Sequence, residues 1–157
     1  PDLAARGAVV QWIGPEHAGR FEAEDVVLGL GAQNATTLAL QTVLRGAHPV
    51  ILTERLTYPG VRRAAALLRA ELVGVEMDDH GIRPDSLEEM ARLHGPQVLV
   101  TSAEVHSPTA IRTTFERKKQ IAALAARYNF QIIEDDCHPI APAHSPTYRA
   151  ICPDRAW

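Results

Sequence analysis

Short apolar runs alternate with longer amphipathic runs through most of this 157-residue chain, and no other feature of the sequence restricts the fold as much. Apolar runs of this length predict buried strands, and apolar residues spaced three and four apart predict helices. Strands are predicted at 26–30, 49–54, 72–76, 97–102 and 130–135. Helices are predicted at 32–45, 58–70, 84–94 and 114–129. This regular succession predicts an α/β fold with three α/β/α layers around a mostly parallel sheet.

Local signals add detail to this pattern. The sequence D-D-H-G at 78–81 predicts a turn, and T-F-E-R at 114–117 resembles a helix-capping arrangement. Residues 1–25 show little pattern, and the proline-rich residues 139–157 read as loop. We therefore expect one partial domain over 1–157, with its core at about 26–138 and no second domain. Because the sequence begins without Met and stops at Trp157 on the approach to another strand, we expect a piece of a longer protein.

Composition narrows the class of protein. Apolar residues make up 46% of the chain and charged residues 22%, which is typical of a globular protein. The formal charge of -3 excludes polyanion binding through overall charge, because there is no basic excess to neutralise phosphates. No run approaches the roughly 18 apolar residues of a membrane span. The only two cysteines, Cys137 and Cys152, predict reduced thiols in a cytoplasmic protein.

Parallel α/β sheets bind ligands beyond the carboxyl ends of their strands, so the residues after each predicted strand are the candidate site. The first group is G-L-G-A-Q-N at 29–34, between a predicted strand and a helix. The unpaired amides and positive dipole of a helix start suit a phosphate. A dinucleotide site is an alternative with Glu54 as the ribose-binding acid, but Asn34 replaces the third glycine of that fingerprint. An ordinary turn is the third interpretation.

Two further groups follow the second and fourth predicted strands. Tyr58, in T-Y-P-G, is suited to stacking on a flat heterocycle, although the same residues are common in simple turns. His106, Ser107 and Thr109 bring polar groups to the same edge of the sheet. The alternative for these three is a proline-containing turn with a surface histidine.

The fifth predicted strand runs into Glu134, Asp135 and Asp136. Burying carboxylates is costly unless a cation or hydrogen-bond donors meet them. One reason for such an acid is to hold a protonated ring nitrogen, whose pKa its negative charge raises. A metal bound by Asp135, Asp136, Cys137 and His138 is a weaker alternative, because neighbours on a strand point to opposite faces. An acidic strand end in solvent is the third interpretation.

Taken in this order, the groups resemble the large domain of fold-type I, pyridoxal-phosphate-dependent aminotransferases of class I/II. The resemblance runs from about Val26 to Trp157 and rests on G-A-Q, E-x-x-x-Y-P-G, H-x-P-T and I-I-E-D-D. The sequence, including its tail S-P-T-Y-R-A-I-C-P-D-R-A-W, is most similar to the aminotransferase-like domain of MocR-type regulators of the GntR superfamily. The resemblance implies a fold that binds pyridoxal 5′-phosphate.

The resemblance also implies roles for individual residues. The amides of Gly31, Ala32 and Gln33 hold the cofactor phosphate, and the Tyr58 ring stacks on the pyridine ring. Asp135 pairs with the pyridinium nitrogen, which lets the ring act as an electron sink.

The sequence departs from the family pattern around the cofactor's phenolic oxygen. Ser107 stands where the family has an asparagine that contacts this oxygen, and Ala110 stands where it has a glycine. Cys137 and His138 stand where the family has a tyrosine that is also aimed at it. His138 is therefore a candidate donor to the phenolic oxygen.

The chain's only lysines, Lys118 and Lys119, lie on a predicted helix and not at the family's Schiff-base position. The family places that lysine beyond Trp157, so we assign no catalytic residue to this chain and expect it not to catalyse transamination alone. The resemblance implies two functions for the whole protein: an aminotransferase acting on an amino acid, or the effector-sensing domain of a transcription regulator. It also implies a homodimer that binds an amino acid substrate or effector, and DNA binding only through an N-terminal region outside this chain.

Overall fold

The computed structural model describes residues 2–137 and 145–157, which contain six strands and seven α-helices. The strands are β1 (Val50–Glu54), β2 (Glu71–Val75), β3 (Met77–Asp78), β4 (Gly81–Ile82), β5 (Val98–Thr101) and β6 (Gln131–Glu134). The helices are α1 (Leu3–Ile13), α2 (Pro15–Ala18), α3 (Ala32–Val43), α4 (Pro59–Leu67), α5 (Pro84–His94), α6 (Phe115–Tyr128) and α7 (Tyr148–Ile151). A single 3₁₀ turn at Ala23–Asp25 lies between α2 and α3.

Four parallel strands form the central sheet in the order β2, β1, β5, β6. Leu52 of β1 lies opposite Val73 on one side and Leu99 on the other, so β1 is an inner strand. The β3 and β4 strands form a separate antiparallel hairpin, which confirms the turn predicted at 78–81. Beyond β6, Ala156 pairs in parallel with Ile132, so the last residues start a further position in the sheet.

Helices cover both faces of this sheet, which confirms the predicted three-layer α/β/α fold. Successive side chains of a strand point to opposite faces, and Leu52 and Ile51 of β1 therefore enter two different cores. The core under α5 and α6 contains Val50, Leu52, Val75, Leu87, Ala91, Leu99, Ile121, Leu124, Phe130 and Ile132. The core under α3 and α4 contains Leu40, Ile51, Val61, Ala64, Ala65, Val98, Val100 and Ile133.

Local signals explain where α5 and α6 begin and end. The Thr114 side chain accepts a hydrogen bond from the Arg117 amide at 3.3 Å, which confirms the predicted cap of α6. Gly95 after α5 and Asn129 after α6 adopt the left-handed conformation that commonly ends a helix, with φ of 57° and 55°. Both helices match their predicted ranges to within one residue at each end.

The strand predicted at 26–30 is wrong. These residues lead from the 3₁₀ turn into α3 and pair with no strand in the described part of the chain. Strand-forming residue types are not sufficient for a strand, because its backbone groups must bond to a neighbouring strand. Val27 and Leu30 are accordingly 73% and 94% exposed.

Two regions contain more helix than their sequence predicted. Residues 1–25 showed little pattern, yet α1 and α2 form there, and α7 lies within residues expected to be loop. All residues of α1 are at least partly exposed, and its sequence has no apolar stripe of the kind that marks a core-facing helix. For this reason α1 was not predicted. In residues 2–137 and 145–157, no helix has the length and apolar character needed to cross a membrane.

Candidate functional site

A cavity of about 270 Å³ opens at the carboxyl end of β6, beside the first turns of α3. Ala32 and Thr36 line it from α3, and Asp135 and Asp136 line it from the residues that follow β6. Trp157 closes another part of the wall. The structure thus brings Ala32 and Asp135 together, two residues that the sequence analysis assigned to opposite ends of one ligand.

The start of α3 has free hydrogen-bonding capacity. Gly31 precedes the helix with a φ of 88°, in the region that favours glycine, and the space where its side chain would lie is open. The first amides of a helix have no acceptor within the helix, and Gly31 has no side chain to cap them. The amides of Ala32 and Gln33 are therefore suited to an anion at the cavity.

Asp135 is held by its own backbone and by a neighbouring thiol. Its amide donates to Thr101 O at 2.8 Å, which continues the β5–β6 pairing by one residue. The Cys137 thiol donates to Asp135 Oδ1 at 2.8 Å. Burial and the hydrogen bond to Asp135 raise the pKa of Cys137 to about 12, so the thiol keeps the proton that it donates at neutral pH.

Asp136 makes a different contact from its neighbour. Its Oδ2 lies 3.5 Å from Nε2 of His17, which belongs to α2. Its Oδ1 is buried and has no hydrogen-bond partner among the described residues. Asp136 is therefore directed partly toward the N-terminal segment, whereas Asp135 has no such ion pair in the described part of the chain.

Tyr58 does not line the cavity but lies close to the same helix start. Its ring covers Gly60 at the beginning of α4 and is 45% exposed. The Gln33 side chain reaches the same turn, because its Nε2 donates to Gly60 O at 3.0 Å. The structure therefore joins the predicted phosphate segment directly to the predicted aromatic turn.

The loop after β5 is fixed by His106, which is buried and is not the surface residue that the sequence allowed as an alternative. His106 Nε2 lies 2.9 Å from Leu56 O, and since a carbonyl only accepts, this ring nitrogen carries the hydrogen. His106 Nδ1 lies 2.7 Å from Thr109 Oγ1. Both ring nitrogens of His106 thus have partners within the protein. Ser107 is half-buried in the same loop and is not among the residues that line the cavity. His138 lies outside the described residues.

Glu54 is the centre of a buried network that the sequence analysis missed. Its carboxylate accepts hydrogen bonds from Thr101 Oγ1, from the Ser102 amide at 3.0 Å, and from Thr53 Oγ1 at 3.2 Å. Burial raises the pKa of Glu54 more than the Thr101 hydrogen bond lowers it. Because this carboxylate is enclosed, it does not face a ribose, which removes the support for a dinucleotide site. The threonines at the strand ends were the only signal of this network in the sequence.

Lys118 is occupied by a structural contact. It is fully buried, and its Nζ donates to Glu134 Oε1 at 3.1 Å and to Pro146 O at 3.0 Å. Burial raises the pKa of Glu134, and the Lys118 charge opposes that shift. The neighbouring Lys119 pairs on the surface with Glu116 at 2.6 Å. Neither lysine is among the residues that line the cavity.

The chain thus combines a parallel sheet between two helical layers with an open helix start that faces an acidic strand end. An archaeal alanine:glyoxylate aminotransferase shares this fold with a TM-score of 0.83, at 22% identity, over 99% of this chain and 40% of that one. The family model described as aminotransferase class I and II matches residues 2–152. The chain therefore belongs to the class I and II aminotransferase family.

Curated relatives include both enzymes and a regulator. An aromatic amino acid aminotransferase of Schizosaccharomyces pombe is 33% identical over 137 residues, covering 83% of this chain and 28% of that protein. The HTH-type transcriptional regulator TauR of Rhodobacter capsulatus is 38% identical over 112 residues, covering 71% of this chain and 22% of that protein. The resemblance predicted from the sequence is confirmed. The chain spans less than a third of the length of either relative.

Proposed function

We propose that this chain is part of the pyridoxal-5′-phosphate-binding domain of an aminotransferase that acts on an amino acid. The observation that supports this most is the shared cavity, in which Ala32 at an uncapped helix start and Asp135 at an acidic strand end line one space. A flat ring with an anionic group at one end and a basic nitrogen at the other matches this space. The anionic group would meet the free amides at the helix start, and the nitrogen would meet the carboxylate of Asp135.

The residues at the site fit this cofactor. The amides of Gly31, Ala32 and Gln33 would hold the phosphate, because they include the free donors at the start of α3. Asp135 would hold the ring nitrogen in its protonated form, with the Cys137 hydrogen bond fixing its carboxylate. Tyr58, which lies beside the cavity and not in its lining, would pack on the ring. The assignment of Ser107 and His138 as polar neighbours of the ring rests on the family resemblance alone. When bound, the cofactor supplies an electron sink for bond breaking at the α-carbon of the substrate.

The activity of the whole protein requires parts beyond those in this chain. In the family a lysine holds the cofactor and moves the proton, and neither Lys118 nor Lys119 is positioned for that role. We therefore propose that the chain alone does not catalyse amino-group transfer. We also propose a cytoplasmic homodimer as the working form, in line with the family.

A second function is supported by the 38% identity to the regulator TauR. In this alternative the same cavity binds the cofactor and an amino acid effector, and DNA contacts belong to an N-terminal region outside this chain. Turnover separates the two functions. An enzyme transfers the amino group of an amino acid to a 2-oxo acid, whereas a sensor binds the amino acid without transfer and changes its affinity for DNA.

Equilibrium binding of pyridoxal 5′-phosphate to the full-length protein that contains this chain tests the shared proposal. Asp135→Asn is expected to weaken binding by roughly ten- to a hundredfold, because hydrogen bonds to charged groups contribute about 1.5–3 kcal/mol. Asp136→Asn changes the adjacent carboxylate, which also lines the cavity, and is expected to change the affinity less than threefold, because one of its oxygens is directed toward His17.

Two results would contradict the proposal. If the native full-length protein does not bind pyridoxal 5′-phosphate, the whole proposal is wrong. Equal losses of affinity in Asp135→Asn and Asp136→Asn would remove the assignment of the ring nitrogen to Asp135.

A further inference from the structure

Gly60, at the beginning of α4, lies beneath two side chains that come from different parts of the sequence. A Cβ atom built on Gly60 would overlap Gln33 Oε1 and Tyr58 Cε1, and would lie 2.8 Å from Tyr58 Cδ1. Because both side chains converge on one point, the Gln33 amide and the edge of the Tyr58 ring are in van der Waals contact. The φ of Gly60 is not in the left-handed region, so the glycine is required here by space alone.

The Gln33 side chain also bonds to the turn that carries Tyr58. Its Nε2 donates to Gly60 O at 3.0 Å, and this contact joins the start of α3 to the start of α4. On the other side of Tyr58, His106 donates to Leu56 O at 2.9 Å. The backbone on both sides of Tyr58 is therefore tied to neighbouring elements, while the ring itself remains 45% exposed.

We propose that Gln33 is a positioning residue that acts through Tyr58, a proposal that rests on the function proposed above. Its main-chain amide would face the cofactor phosphate, and its side chain holds the Tyr58 ring against Gly60. An exposed aromatic side chain otherwise samples several rotamers, and fixing it before the ligand arrives lowers the entropic cost of stacking. One residue thereby couples the phosphate end of the site to its aromatic face.

The contact can be tested without any ligand. The full-length protein that contains this chain is labelled with 3-fluorotyrosine, which places fluorine on Tyr58, Tyr128, Tyr148 and any tyrosine outside this chain. The signal that disappears in Tyr58→Phe is assigned to Tyr58. In Gln33→Ala this signal is expected to move toward the value of free fluorotyrosine, while the signals of the other tyrosines stay in place. Gln41→Ala, at an exposed glutamine of the same helix, is the matched control and is expected to leave every signal unchanged.

Action through Tyr58 can be tested with pyridoxal 5′-phosphate as the probe, in the full-length protein that contains this chain. Gln33→Ala is expected to weaken binding between about two- and tenfold, the range that aromatic stacking supplies. In a Tyr58→Ala background the same substitution is expected to have no further effect, because the ring that Gln33 positions is already missing.

Two outcomes overturn the positioning role. One is a Tyr58 resonance that does not respond to Gln33→Ala. The other is a loss of affinity that is the same with and without the Tyr58 ring, which would mean that the Gln33 side chain acts on the cofactor directly. If native protein fails to bind the cofactor, the proposed function is overturned, and the fluorine signal still decides separately whether Gln33 fixes the ring.

Discussion

At the scale of single residues, the enclosed carboxyl of Glu54 at the end of β1 predicts how the stability of the protein depends on pH. The folded chain holds the proton of this group more tightly than the unfolded chain, since burial raises its pKa above the ordinary value of 4.5. The free energy of unfolding is therefore highest when Glu54 is protonated in both states. It falls as the pH rises from about 4.5 toward the raised pKa of the folded state.

Glu54→Gln is expected to make this decline with pH shallower, because glutamine does not ionise. The glutamine oxygen can still accept from Thr101 and from the Ser102 amide, so the network is expected to persist. Urea unfolding at a series of pH values from 4.5 to 8 measures the effect. Glu89→Gln removes the same charge from an exposed position on α5 and corrects for the change in net charge. An unchanged pH dependence in Glu54→Gln would count against the enclosed carboxyl as its source.

At the scale of elements, Lys118 and Glu134 join α6 to β6 and to the segment before α7. Removing one partner of a buried ion pair leaves the other charge unpaired, which typically costs about 3–5 kcal/mol. Lys118→Met is therefore expected to lower the free energy of unfolding by roughly this amount. The loss is expected to be larger at pH 8 than at pH 5, because Glu134 without its cation is more costly to ionise.

The adjacent Lys119 provides the matched control, since its ion pair with Glu116 is exposed. Lys119→Met is expected to change the stability by less than about 0.5 kcal/mol. Adding Glu134→Gln to Lys118→Met is expected to recover part of the loss, because the buried charge is then gone. Equal losses for the two lysine variants in urea unfolding would refute the structural role of Lys118.

The elements that the sequence predicted well are those whose signals are local. Both α5 and α6 have an apolar periodicity and a defined end, and each of these is read within a few residues. The strand expected at 26–30 failed because a strand depends on a partner elsewhere in the chain. The length and residue types of that segment were typical of a strand, but neither shows whether another strand lies beside it to accept its hydrogen bonds.

The edge of the sheet that carries the candidate site could be predicted from the order of the motifs, but side-chain directions could not. Glu54 ends β1 and His106 lies in the loop that follows β5, where ligand-binding residues of such folds occur, yet both bond to their own protein. Which of several polar residues at a strand end turns inward is decided by neighbours distant in sequence. The sequence therefore predicts which edge of the sheet carries the candidate site, but it does not predict which contacts each side chain makes there.

At the scale of the whole molecule, the N-terminal segment packs against the segment near the other end of the chain. His17 O of α2 accepts from the Thr147 amide at 2.9 Å and from Thr147 Oγ1 at 3.1 Å. A Cβ atom on Gly19 would lie 3.1 Å from the Cα atom of Ala150 in α7. Together with the approach of His17 to Asp136, these contacts connect the N-terminal helices to the edge of the sheet where the cavity lies.

Substitutions at the two glycines on either side of α2 distinguish the effect of this packing from the effect of backbone strain. Gly14 and Gly19 share a φ of 73°, so alanine at either position is expected to cost about 1–3 kcal/mol of backbone strain. The space around Gly14 is open, whereas a side chain at Gly19 presses on the backbone of Ala150. Hydrogen exchange at the Thr147 amide is therefore expected to accelerate in Gly19→Ala beyond the change that Gly14→Ala causes. The same exchange rate in both variants would mean that the N-terminal segment does not hold α7 in place.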